Sequence, residues 1–117
     1  MNLINKAMKT KKDLSLNDLQ KFFEKEGFNV HQFEQDNKKC AEIETWTNGG
    51  VDMIITLIPF SIEKFIEYVD NFNVDDQIDF YRQDEHYRNN FTISESLEDF
   101  NDFHEGLKKI VKKLSKL

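Results

Sequence analysis

The 117 residues suffice for one domain, and a hydrophobic fraction of 38% with eleven Phe provides enough apolar material for a sizeable core. A single cysteine, Cys40, excludes an intramolecular disulfide and a cysteine-rich metal site, and it favours a reducing, cytoplasmic setting. No apolar run has the length of a bilayer span or of a signal peptide, so we expect neither membrane insertion nor secretion.

The charges are separated along the chain, although the net charge is only −6. All 22 acidic residues lie between Asp13 and Glu105, whereas nine of the 16 basic residues lie outside that stretch. Such an acidic middle repels nucleic acid and attracts basic protein surfaces. We therefore expect a basic protein as the partner, and we consider direct binding to nucleic acid unfavourable.

The first half of the chain predicts a helix followed by an antiparallel meander. Residues 1–12 form a basic arm or short helix, and a single α+β domain is expected over residues 13–117. Ser15 and Asp18 have the spacing of a capping box, and Gly27 is a natural helix stop. Alternating apolar residues then predict three strands: one begins near Phe28, one covers 40–47, and one covers 51–58. Asn48, Gly49 and Gly50 suit the tight turn between the last two.

The second half predicts further helices. Ser61 is a candidate N-cap for a helix over 62–72, and Thr92 begins a capping box for a long C-terminal helix. Between them we predict a short fourth strand and a polar loop over 83–90. The strand would contain Ile78, Phe80 and Arg82. The apolar stripe of the last helix comprises Ile93, Leu97, Phe100, His104, Leu107, Val111 and Leu114. The fold class is thus α+β, with a three- or four-stranded antiparallel meander, two to four helices and a long last helix.

Carboxylates recur at helical spacing on the predicted helices and in the segments between them. Residues three or four apart on a helix are about 5–6 Å apart, so such rows resemble closely and regularly spaced phosphates. The alternative is an ordinary solvated face, because acids early and lysines late in the last helix is the order that the helix dipole favours. The candidate partner-binding carboxylates are Glu63, Glu67, Asp70, Asp75, Asp76, Asp79, Asp84, Glu85, Glu95, Glu98, Asp99, Asp102 and Glu105.

Trp46, which precedes the glycine turn, is a further candidate for partner binding. An exposed Trp is typical of interface hot spots, whereas a buried Trp on a strand face would serve packing alone. The glycine pair lacks the spaced glycines and the following helix of a phosphate-binding loop.

No catalytic, metal or cofactor site can be assigned from the sequence. His31, His86 and His104 do not have metal-motif spacing, and His104 falls in the apolar stripe. The run Asp84-Glu85-His86 is a weak candidate for metal or acid–base chemistry, because adjacent loop residues rarely converge on one ion. Cys40 lacks an evident activating partner and is expected on the sheet as a small apolar residue. We therefore expect a non-enzyme.

Two stretches resemble small uncharacterised proteins encoded by bacterial phages and plasmids: residues 42–53 and residues 96–100. Such chains often lie among genes that counter host defence, and small acidic α+β chains are similar in general character to anti-CRISPR proteins. The resemblance implies a binding-type inhibitor that presents an acidic, nucleic-acid-like surface to a basic site on a nuclease or other defence protein.

Other functions remain open from the sequence. One is an immunity-type protein that neutralises a basic toxin. Another is a nucleic-acid-binding accessory protein that uses its Lys-rich ends. A homodimer in which these lysines meet the acids of a second copy is also compatible with the charge pattern.

Overall fold

A computed structural model describes residues 14–117 of the chain, so the predicted arm over residues 1–12 lies outside the described residues. Five helices and three strands occur in the described part. In chain order they are α1 (Leu16–Lys25), β1 (Asn29–Gln35), β2 (Lys38–Trp46), β3 (Asp52–Leu57), α2 (Ile62–Asn71), α3 (Val74–Tyr81), α4 (Glu85–Asn90) and α5 (Ile93–Ser115). The predicted α+β class with an antiparallel sheet and a long last helix is confirmed, whereas the five helices of the described part exceed the two to four that were predicted.

The sheet is an antiparallel meander in the order β1-β2-β3, as the sequence predicts. The β1–β2 connection is a two-residue turn in which Asp36 and Asn37 have φ angles of 53° and 64°. Asp and Asn tolerate this left-handed conformation, which matches the twist of the strands. The β2–β3 connection is the predicted glycine turn, closed by hydrogen bonds from Thr47 N to Val51 O (2.9 Å) and from Gly50 N to Thr47 O (2.9 Å).

The helices begin where hydroxyl, amide or carboxylate side chains satisfy free backbone amides. Ser15 and Ser61 accept hydrogen bonds from Asp18 N (3.1 Å) and Lys64 N (3.2 Å), which confirms both predicted N-caps. Thr92 and Glu95 form the full predicted capping box, with Glu95 N donating to Thr92 Oγ1 and Thr92 N donating to Glu95 Oε1. The local sequence thus determines three of the helix starts.

The predicted fourth strand is wrong, because Ile78, Phe80 and Arg82 belong to α3 and its C-cap. Asn73 caps this helix by accepting from Asp76 N at 3.0 Å. Ile78 is buried, whereas Phe80 is 65% exposed. The alternation of Ile78, Phe80 and Arg82 was accidental. The residues of α3 that pack against the core are Val74, Ile78 and Tyr81, which have helical spacing.

The predicted polar loop over 83–90 is also wrong, because it contains the short helix α4. Asp84 caps this helix by accepting from His86 N at 2.8 Å. One aromatic side chain packs α4 against the rest of the protein. Tyr87 is buried, and its hydroxyl lies 2.7 Å from the Ser96 hydroxyl of α5. A single anchoring residue produces no periodicity that the sequence could reveal.

One hydrophobic core joins the inner face of the sheet to the helices. Alternate residues of the central and third strands, including Ile43 and Ile55, are fully buried in it. The predicted stripe of α5 holds from Phe100 onward, and His104 packs as expected, with Nε2 3.0 Å from Val69 O. It fails in the first turns, where Ile93 and Leu97 are 58% and 37% exposed.

Gly106 lies inside α5 with open space where a Cβ would project. Glycine costs a helix interior roughly 0.5–1 kcal/mol relative to alanine. We therefore expect Gly106→Ala to increase the free energy of unfolding by up to about 1 kcal/mol. Urea denaturation would measure this gain, and a loss of stability would show that the position has a steric role.

Candidate protein-binding surface

Four of the predicted carboxylates form an acidic row on the solvent face of α5: Glu95, Glu98, Asp102 and Glu105. All four are exposed, and their spacings of three and four residues place them on one side of the helix. We call this set the α5 acidic face.

Hydrogen bonding keeps two members of the α5 acidic face ionised. The backbone amide and hydroxyl of Thr92 lower the pKa of Glu95, because they bind its charged form at the helix N-terminus. A hydrogen bond and the charge of Lys108, whose Nζ lies 3.0 Å from Glu105 Oε1, lower the pKa of Glu105. Glu95 and Glu105 are therefore both ionised at neutral pH, although Glu105 already has a cationic partner.

A second acidic row lies on α2, which packs against α5. Glu63, Glu67 and Asp70 are exposed on this helix, and Lys64 Nζ lies 3.5 Å from Glu67 Oε2. The rings of Phe72 and Phe103, with centroids 5.7 Å apart, join the two helices. The two rows are thus carried by neighbouring elements of one rigid core.

The remaining predicted acids on α3 and α4 are exposed, but several have local roles. Asp75 and Asp76 lie in the first turn of α3, where the helix dipole favours acids. Asp79 and Glu85 are exposed, and Asp84 is exposed while it caps α4. These residues extend the negative charge beyond α5 without forming a separate site.

Asp99 does not belong to the acidic surface, contrary to the prediction that it lies with the other α5 acids. It is only 8% exposed and faces the β2–β3 turn. Its Oδ2 accepts a hydrogen bond from Thr47 Oγ1 at 2.6 Å, and its Oδ1 accepts one from Gly49 N at 2.8 Å. Thr47 Oγ1 in turn accepts from Val51 N at 3.0 Å. The carboxylate thus anchors the glycine turn to α5.

The anchor also explains the first glycine of the turn. A Cβ on Gly49 would lie 2.6 Å from Asp99 Oδ2, closer than any relaxed contact. Gly50 has a φ of 87°, which other residues rarely adopt. The two glycines therefore meet two different requirements, close approach and backbone conformation.

Trp46 is the last residue of β2 and is 49% exposed, so it lies on a strand face beside the hairpin turn and outside the core, and the binding alternative stays open. It borders a cleft of about 290 Å³ between the β2–β3 turn and α5, which Asp102, Gly106 and Lys109 also line. Because Asp99 fixes the turn on α5, Trp46 is held at this cleft together with Asp102, one member of the α5 acidic face. A half-exposed aromatic side chain and an exposed carboxylate thus border the same cleft.

The candidate metal-binding and nucleophilic side chains do not form a group in the described part of the chain. Within residues 14–117, no three His, Cys, Asp or Glu side chains converge closely enough to hold a metal ion. In the run Asp84-Glu85-His86, the Asp84 carboxylate is engaged with the backbone of α4. Cys40 is fully buried on the sheet, as expected for a small apolar residue. No helix among residues 14–117 is long and apolar enough to cross a bilayer.

Sequence analysis missed a carboxylate pair on the side of the sheet opposite the core. Glu44 on β2 pairs with Ile54, and Asp52 on β3 pairs with Trp46, so the two carboxylates are diagonal neighbours across the strands. A hydrogen bond with Asp52, partial desolvation and the charges of Asp52 and Glu42 raise the pKa of Glu44, against a hydrogen bond from Asn29. The alternation of Glu42, Glu44 and Trp46 in the sequence indicates that they share one side of β2. The sequence does not give the β2–β3 register, which brings Asp52 to the same side.

This pair gives a pH-dependent prediction. A raised pKa means that the native state binds the Glu44 proton more tightly than the unfolded chain, so repulsion lowers stability above the folded-state pKa. We expect Glu44→Gln to raise the melting temperature at pH 7, with a gain that disappears below about pH 4. Thermal unfolding from pH 3 to pH 8 would measure this. Glu24→Gln on α1 is the control for loss of one charge, and equal gains from both variants would contradict a specific pair.

Comparisons with models of protein families, with curated proteins and with solved structures found no match.

Proposed function

We propose that this protein is a binding-type inhibitor that presents the α5 acidic face and Trp46 to a basic site on a nucleic-acid enzyme, in the manner of an anti-CRISPR protein. The observation that carries the proposal is that Trp46, which is half-exposed, borders the same cleft as Asp102, one of the four exposed carboxylates in a row on α5. Aromatic side chains are enriched at interface hot spots, and carboxylates at helical spacing complement a groove built for phosphates.

The rigidity of this surface favours binding over mere solubility. The turn that follows Trp46 is tied to α5 by a buried carboxylate, with contacts of 2.6 and 2.8 Å. A surface that is already ordered loses less conformational entropy when a partner binds. An acidic face needed only for solubility would not require its neighbouring hairpin to be fixed.

The nucleic-acid-binding alternative is less favourable, because part of the C-terminal lysine set is already paired. Lys113 Nζ lies 2.7 Å from Glu26 Oε1, and Lys108 Nζ lies 3.0 Å from Glu105 Oε1. Nucleic acid would have to compete with these carboxylates and with the acidic first half of the same helix. An immunity-type protein would use the same acidic surface and differs only in its partner.

The proposal is tested by charge reversal with a matched control. Tagged protein is incubated with nuclease-treated bacterial lysate, eluted with rising salt, and the retained proteins are identified. The strongest candidate is then purified for affinity measurement. We expect Glu98→Lys/Asp102→Lys to weaken binding at least about tenfold, and added duplex DNA to displace the partner. The control Glu24→Lys/Glu34→Lys, with the same change in net charge, should bind like the original protein.

Two results would contradict the proposal. Equal losses in both variants would mean that net charge, and not the α5 acidic face, determines binding. Binding that is insensitive to salt and to DNA would exclude a nucleic-acid-like surface, since exposed charges are screened within about 8 Å at physiological ionic strength.

A further inference from the structure

The sheet has a side that faces away from the core, and it carries a second surface of mixed character. The strand register places Glu44 beside Ile54, Glu42 beside Thr56, and Trp46 beside Asp52. The intervening residues Ile43, Met53 and Ile55 point into the core and are buried. We call Trp46, Ile54, Glu42, Glu44 and Asp52 the outer sheet face.

The apolar part of the outer sheet face is exposed to solvent. Ile54 is 55% exposed and Trp46 49%, although both are strand residues with large hydrophobic side chains. The neighbouring positions His31 and Thr56 are also exposed, whereas Cys40 at the other end of β2 is buried. The described elements therefore leave this side of the sheet open around Trp46 and Ile54. An open sheet face with large apolar side chains is typical of an interaction surface.

Within residues 14–117, the carboxylates of the outer sheet face form no salt bridge. The four salt bridges in the described part of the chain involve none of Glu42, Glu44 and Asp52. Both arginines are engaged elsewhere, since Arg82 donates to Phe91 O at 2.7 Å, and Arg88 donates to Arg82 O at 2.6 Å. Glu44 and Asp52 repel each other, and the raised pKa of Glu44 is consistent with that strain. A cation placed between them would relieve the repulsion.

We propose that the outer sheet face binds an arginine-containing, extended basic segment of a partner protein, with the guanidinium between Glu44 and Asp52 and against the ring of Trp46. Arginine fits better than lysine because its planar fork donates to two carboxylates at once and stacks on an aromatic ring. Ile54 would contact an apolar neighbour of the arginine. The outer sheet face shares Trp46 with the proposed inhibitory surface but includes none of the α5 carboxylates. The inference rests on the proposed function and adds to it the chemical identity of a partner side chain.

The sole Trp of the chain is a built-in probe of this binding. Trp46 fluorescence is followed while the full chain is titrated with a short capped peptide of alternating valine and arginine. Matched peptides replace arginine with lysine or with uncharged citrulline. We expect saturable binding of the arginine peptide, at least about tenfold weaker binding of the lysine peptide, and no saturation with citrulline.

Variants separate this surface from the α5 acidic face. Glu44→Gln/Asp52→Asn should weaken the arginine peptide at least about tenfold, and it should fold because it removes a repulsion. Glu98→Lys/Glu105→Lys, at two α5 residues that do not line the cleft beside Trp46, should leave peptide binding unchanged, so failure of one proposal does not imply failure of the other. Equal binding of citrulline, an unchanged affinity in the Glu44/Asp52 variant, or displacement of the peptide by Mg²⁺ or Ca²⁺ alone would overturn the inference.

Discussion

Gly49→Ala and Asp99→Ala should each lower the free energy of unfolding by about 1–3 kcal/mol, and the double variant should lose less than the sum. A Cβ at position 49 would lie 2.6 Å from Asp99 Oδ2, so Gly49→Ala must displace the carboxylate. Asp99→Ala removes the acceptor of the hydrogen bonds from Thr47 Oγ1 and Gly49 N. In the double variant the added Cβ at position 49 meets no carboxylate, because Asp99→Ala has already removed it.

Urea denaturation of the four proteins forms a double-mutant cycle for this anchor. Gly106→Ala is the control glycine, since its added Cβ meets open space and should not destabilise the chain. Strictly additive losses would show that Gly49 and Asp99 act independently, and would contradict the anchor. Loss of the anchor should also free the hairpin, so the Trp46 emission spectrum should change in both single variants.

Phe23→Ala should cost about 3–5 kcal/mol of stability, the largest effect of any single substitution considered for this protein. Phe23 is fully buried, and the centroid of its ring lies 4.9 Å from the ring centroid of Phe65 and 5.5 Å from that of Phe28. It therefore joins α1, the start of the sheet and α2 in one aromatic cluster. Truncation removes the burial and the ring contacts together and leaves a cavity.

A matched truncation tests whether the effect comes from burial. Phe80→Ala removes the same atoms from a side chain that is 65% exposed, so it should change stability by no more than about 0.5 kcal/mol. Phe23→Leu should lose markedly less than Phe23→Ala, because it fills most of the cavity. Similar losses for Phe23→Ala and Phe80→Ala would mean that the cluster is not the centre of the core.

The sequence predicts those elements whose signals are local. Ser15, Ser61 and Thr92 cap the helices that they were expected to cap, because a side-chain oxygen and a free amide three residues later suffice. Asn73 and Asp84 also cap α3 and α4, by accepting from backbone amides three and two residues later, but the sequence did not predict these caps. The short helices α3 and α4 have few apolar positions, so their helical period is weak. The alternation of Ile78 and Phe80 therefore led to the prediction of a strand.

The site was less predictable, because its features depend on contacts between distant parts of the chain. Helical periodicity placed Asp99 near the other acids of α5, but only the fold brings it to Thr47, 52 residues away. Ile93 and Leu97 follow the apolar period and yet remain exposed, since burial depends on what lies opposite. The Glu44–Asp52 pair likewise depends on the β2–β3 register, which spacing alone does not supply.

The order of charges along α5 has a kinetic consequence. Its acids precede Gly106 and its lysines follow it, so the helix has a permanent electric moment in addition to its net charge. A basic partner approaching in solution would turn the acidic end toward itself before any contact forms. Association rates should therefore decline steeply with added salt, whereas dissociation rates should change little, because the field guides encounter more than it holds the complex.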